Sequence, residues 1–102
     1  MQMAKYYLTN KAVEDLSGIW EYTFETWSEK QADEYYSMLI DFCKKLAGEP
    51  EMDKKYDDIK QGLFGYRIHK HIIFYRSVAD KEIEVARILH CRMDFKVRIN
   101  DL

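Results

Sequence analysis

The chain is predicted to be one α+β domain spanning residues 1–102, in which an N-terminal strand and an antiparallel helical hairpin pack on an antiparallel sheet. Three observations carry this. Apolar residues recur at three- and four-residue steps through two consecutive stretches ending near residue 48. From Gly62 onward the spacing changes to that of strands. The charge balance shifts at the same place, from 13 acidic and 8 basic residues in 1–61 to 5 acidic and 8 basic in 62–102.

Lys5 to Leu8 is short, aromatic and apolar and reads as a first strand, followed by Thr9-Asn10, either of which caps a helix by accepting from its free N–H groups. From Asn10 to about Trp27, Val13, Leu16, Trp20, Phe24 and Trp27 form an amphipathic stripe widened by Ile19. Glu14 and Asp15 fall early, where the helix dipole favours negative charge. Ser28-Glu29-Lys30-Gln31 fits a capping box and starts a second helix, whose apolar face runs from Ala32 through Tyr35, Tyr36, Leu39, Phe42 and Cys43 to Leu46. Gly48 and Pro50 stop it.

Glu51 to Lys60 is charged and aperiodic and reads as a surface loop with room for a helical turn. Leu63 to Ile68, His71 to Val78 and Glu82 to His90 then read as a meander with tight turns at His69-Lys70 and Ala79 to Lys81. Ile72 to Tyr75 is apolar on both parities, so the middle strand is central and covered on both faces. In the last strand Ile83, Val85 and Leu89 share one parity and Ala86, Ile88 and His90 the other. The tail from Cys91 is short and mixed, with room for a final helical turn.

Composition excludes several functions. A formal net charge of -2 argues against holding DNA by general phosphate neutralisation. No apolar run approaches the ~20 residues of a membrane span, and no leader opens the chain, so a cytoplasmic protein is expected. Cys43 and Cys91 lack C-x-x-C spacing and read as reduced structural thiols. His69 and His71, two apart, would share one side of a strand, but no further ligand stands at metal spacing, so no metal site and no cofactor are expected. Catalysis by Cys91 with His90 fails on geometry, since adjacent strand residues point to opposite faces.

Arg67, Arg76, Arg87, Arg92, Lys96 and Arg98 form the most informative group. The plain reading is a solvated sheet face and edge; two functional readings that spacing does not separate are a docking surface for an acidic segment and an RNA-phosphate clamp with His90 or a tyrosine moving a proton.

The ordered residues Tyr7-Leu8, Asp15-Leu16, Ile19-Trp20, Trp27, Tyr35, Pro50 and Gly62-Leu63, then H-I-I-F-Y-R at His71 to Arg76 and A-R-I-L-H-C-R-M-D at Ala86 to Asp94, resemble the ParE toxins of the ParE/RelE superfamily. The resemblance spans nearly the whole chain. It implies a RelE/ParE-like hairpin on a twisted antiparallel sheet, and a bacterial toxin of a type II toxin-antitoxin module of the plasmid-stabilisation kind. Such a toxin is neutralised by a ParD-like antitoxin, which alone carries operator DNA binding. ParE-branch toxins inhibit DNA gyrase by binding; RelE-branch toxins cut messenger RNA on the ribosome with basic residues and a late tyrosine.

Here no tyrosine follows Tyr75, and the tail offers Phe95, whose ring cannot move a proton. The resemblance therefore favours a non-catalytic binder. Its matched target- or antitoxin-binding positions are Arg76, Arg87, His90, Arg92, Met93 and Asp94, with Arg67 from the neighbouring strand. On the RelE alternative Arg87, His90 and Arg92 would be catalytic. As bland readings, His90 is a buried hydrogen-bonded histidine and Met93 a core residue. Two arginines common in relatives are missing, Asp53 and Phe64 standing in their places. An open, arginine-bearing groove for a companion polypeptide is expected on the sheet.

Overall fold

A computed structural model describes residues 4–49 and 54–100; Pro50, Met52 and Asp53 lie outside the described residues. In chain order the elements are β1 (Lys5–Leu8), α1 (Asn10–Thr26), α2 (Glu29–Gly48), β2 (Lys54–Lys55), β3 (Phe64–Ile68), β4 (His71–Ala79), β5 (Glu82–His90) and α3 (Phe95–Asn100). Local chemistry sets both long helix starts. The Thr9 hydroxyl accepts from Ala12 N at 3.0 Å and donates to the Ala86 carbonyl at 2.7 Å, so the cap also ties α1 to the sheet. Ser28 accepts from Gln31 N at 3.1 Å and starts α2 one residue after α1 and its cap have ended.

The sheet order is β1-β5-β4-β3-β2, with β4 in the middle as its two-sided apolar run requires. β2 to β5 are antiparallel, whereas β1 pairs parallel with β5, Tyr6 opposite Ile83, because α1 and α2 return the chain before the meander begins. The charged connector holds no helix among its described residues. It forms β2 against Gly65 and Phe64, then a turn closed by Asp57, whose carboxylate accepts from Gly62 N at 2.9 Å where Gly62 adopts φ 78°.

Two layers cover the sheet. Ala12 and Leu16 of α1 and Leu39, Cys43, Leu46 and Ala47 of α2 pack on Phe64, Ile68, Ile73, Tyr75, Ile83, Val85 and Ile88. On the opposite face Ile99 and Phe95 of α3, with Tyr56 and Ile59, cover Leu63, Ile72, Phe74, Ala86 and Leu89. Tyr56 comes so near the sheet that a Cβ at Gly65 would meet its ring at 2.5 Å.

A bulge corrects the parity read from β5. Phe74 pairs with Arg87 but Tyr75 with Val85, leaving Ala86 extra, so the faces exchange along the strand. Ile88, not Leu89, therefore joins Ile83 and Val85 under the hairpin. The same opposite face also corrects the expected groove. Ile99 is fully buried there, so the chain's own α3 and connector occupy the trough foreseen for a partner.

Candidate functional site

The turns β3–β4 and β5–α3 bring a basic and imidazole-rich group to one end of the sheet. His71 and His90 are cross-strand partners with ring centroids 5.4 Å apart, edge to face. The Arg67 Nε donates to the His69 carbonyl at 3.1 Å, and Cys91 N donates to the Lys70 carbonyl at 2.8 Å, tying the two turns together. His90 Nδ1 accepts from Arg92 N at 3.2 Å, and its carbonyl accepts from Met93 N at 3.0 Å, which shapes the exit from β5. Asp94 Oδ1 accepts from Val97 N at 3.3 Å and so starts α3.

Arg67, Arg92, Met93 and Asp94 are exposed, and His90 is half-buried. Met93 is thus a surface residue rather than core. His69 has φ 52° in the β3–β4 turn, while His71 is the first residue of β4 opposite Ile68, so the two do not share one strand. Among the described residues no group of three potential ligands is arranged to hold a metal. Cys43 is buried, and desolvation pushes its thiol up to about 12, which makes it inert; Cys91 is also a free thiol.

Arg76 and Arg87 are not gathered there. Arg76 sits towards the other end of β4 and pairs with Glu84 opposite it at 2.7 Å. Arg87 is buried: its Nε and Nη2 each lie 2.8 Å from a carboxylate oxygen of Asp15, and its Nη1 donates to the Arg98 carbonyl at 3.0 Å. Asp15 also accepts from Ile88 N at 3.0 Å. Asp15 therefore serves this pair and not merely the helix dipole, and Arg87 is a structural tie between α1, β5 and α3. Phe64 is buried and stacks on Tyr75 at 5.6 Å, so the missing arginine there is replaced by core.

Sequence reasoning missed Tyr35 of α2. Its phenol oxygen lies 2.6 Å from His71 Nδ1, bringing a hydroxyl to the histidine end. Burial raises the Tyr35 phenol above its ordinary value. Its only sequence signal was a tyrosine on the sheet-facing stripe of α2.

Burial, reinforced by His90 and opposed by Asp15, pushes His71 down to about 4. Between that value and the ordinary 6.5 the unfolded chain binds the extra proton, so stability falls as pH is lowered across this window and levels off below it. Discounted for the partial exposure of the ring, about 1 kcal/mol should be lost between roughly pH 7 and pH 5. Urea unfolding of the wild type and His71→Gln checks this; equal pH dependence in both would contradict it.

The ParE toxin model, described as the ParE toxin of the type II toxin-antitoxin system parDE, matches residues 6–95. Toxin ParE1 of Mycobacterium tuberculosis is 32% identical over 91 residues, covering 89% of this chain and 93% of that protein. Toxin ParE of Escherichia coli is 32% identical over 99 residues, covering 97% and 96%. Among solved structures, the chromosomal ParDE system of P. aeruginosa superposes with a TM-score of 0.72 at 18% identity, over 86% of this chain and 95% of that one. The RelBE2 toxin-antitoxin complex of M. tuberculosis gives 0.61 at 17%, over 88% and 93%. A match spanning the sheet, both long helices and the start of α3 shows that this chain belongs to the ParE toxin family of type II toxin-antitoxin systems.

Proposed function

We propose that this toxin inhibits DNA gyrase by binding it, in the cytoplasm, and that a ParD-like antitoxin neutralises it and alone carries operator DNA binding. The family match over 6–95 carries the reading. It is supported by the absence of any tyrosine after Tyr75, the position from which a RelE-type cleavage would draw its phenol. Arg67, His90, Arg92, Met93 and Asp94 form the contact end, and Arg76 contributes from the far end of β4. Arg87 acts by holding the fold. The relatives solved as ParDE and RelBE2 systems support an antitoxin partner.

One observation favours a second reading. Tyr35, His71 and His90 form a continuous phenol and imidazole array beside exposed Arg92, the group types of a ribosome-dependent messenger ribonuclease.

Induction in a bacterial host that supplies no antitoxin separates the two. Gyrase poisoning predicts growth arrest with protein-linked chromosomal breaks and intact transcripts. It also predicts relief by the antitoxin and loss of toxicity in Arg67→Ala/Arg92→Ala. Translation-dependent cuts in messenger RNA would establish the ribonuclease instead, and normal growth would contradict both.

A further inference from the structure

We propose that the outer stripe of α1 is a docking site for a basic amphipathic helix of a partner protein. The observation is a repeat inside α1: Val13-Glu14, Trp20-Glu21 and Phe24-Glu25 place an apolar residue and a following carboxylate at steps of seven and four. These steps put Val13, Trp20 and Phe24 on one line and the three glutamates on a parallel line one residue round, while Trp27 caps the helix just past its last residue with non-helical backbone. The core of α1 is a different line, Ala12 and Leu16.

The stripe is built and unsatisfied. Trp27 is 69% exposed, Val13 47% and Phe24 46%. Trp20 is held in place: its ring stacks on Phe24 at 5.2 Å, and its Nε1 donates to Asp33 of α2 at 2.9 Å. Val13, Trp20 and Phe24, aligned over about three turns and fixed by a stack and a hydrogen bond, are costly to leave in water.

Spacing and charge select the occupant. Residues seven apart meet another helix by knobs-into-holes packing, in which flanking charges choose the partner. Here the flank is Glu14, Glu21 and Glu25, all exposed, while the one basic residue of α1 is Lys11. A second copy of α1 would set these glutamates against their own kind, whereas lysine or arginine beside an apolar stripe would complement them. The site lies on the outer side of α1, bordered by Asp33 of α2, and does not depend on gyrase being the target.

The test uses the full chain and a synthetic helix of about three heptads with leucines on one stripe and lysines on both flanks. A matched peptide carrying glutamates serves as comparison. Trp20 and Trp27 are the chain's two tryptophans, so their emission reads the site directly. The lysine peptide should give a saturable blue shift and bind at least about tenfold tighter than the glutamate peptide, with the preference shrinking in high salt. Val13→Ser/Phe24→Ser, which keeps both tryptophans and leaves the Ala12 and Leu16 core line intact, should lose binding while the chain still unfolds in a single cooperative transition with the wild-type circular-dichroism spectrum. Glu21→Gln/Glu25→Gln should weaken it severalfold. No saturable shift, equal binding of the acidic peptide, undiminished binding by Val13→Ser/Phe24→Ser, or self-association through the stripe would each overturn the proposal.

Discussion

Arg87→Met should cost about 3 kcal/mol of unfolding free energy, the loss expected when one partner of a buried ion pair is removed and the other charge stays behind. Asp15 and Arg87 side chains are 13% and 11% exposed, and after the change Asp15 would keep, among the contacts described above, only the Ile88 N–H. The Arg98 carbonyl would lose its guanidinium donor as well, loosening α3. Replacing both partners, Arg87→Met with Asp15→Leu, should recover only part of the loss: an apolar pair carries no desolvation cost, but the Ile88 N–H and the Arg98 carbonyl lose these partners. Urea unfolding of the four proteins measures this coupling. A single-variant loss under about 0.5 kcal/mol would contradict the structural role. There is a functional consequence. Reduced toxicity in an Arg87 variant would report folding as much as target contact, so exposed Arg67 and Arg92 are the proper probes of the proposed contact end.

The second large effect lies at Ile99. Ile99→Ala should cost about 2 to 4 kcal/mol, the range for emptying a fully buried aliphatic site, and Ile99→Asp should detach α3 outright. A helix of six residues does not persist on its own. It is held by Ile99 and Phe95 against Phe74 and Leu89 and by the bond from Arg87. Thermal unfolding and dye binding to exposed apolar surface check this. If Ile99→Asp melts like the wild type, α3 is not what closes that face.

These two sites also mark where sequence reasoning stopped. The helices, their Thr9 and Ser28 caps and the three long strands were legible because each is written in neighbouring residues: a cap oxygen three positions from its N–H, an apolar step of three or four, an alternation of two. What was not legible depends on residues far apart. Asp15 meets Arg87 across 72 positions, and Tyr35 meets His71 across 36. The parallel pairing of β1 with β5 joins the two halves of the chain. The bulge at Ala86 left no compositional trace, yet it reversed the faces of β5 beyond it. β2 is only two lysines, too short to carry a period.

The expected open trough failed for a related reason. Phe95, Val97 and Ile99 alternate in the tail, but only tertiary placement reveals that Phe95 and Ile99 turn inward while Val97 stays exposed. Of the six basic residues, Arg67 and Arg92 stand with His90 and Tyr35 at the histidine end, whereas Arg76 and Arg87 are held in ion pairs elsewhere.

The most direct measurement is purified gyrase supercoiling relaxed plasmid in the presence of this chain. The account predicts inhibition that rises with toxin concentration, accumulation of cleaved plasmid bound to gyrase, and reversal by the cognate antitoxin. Full supercoiling activity at a large molar excess of correctly folded toxin would contradict it.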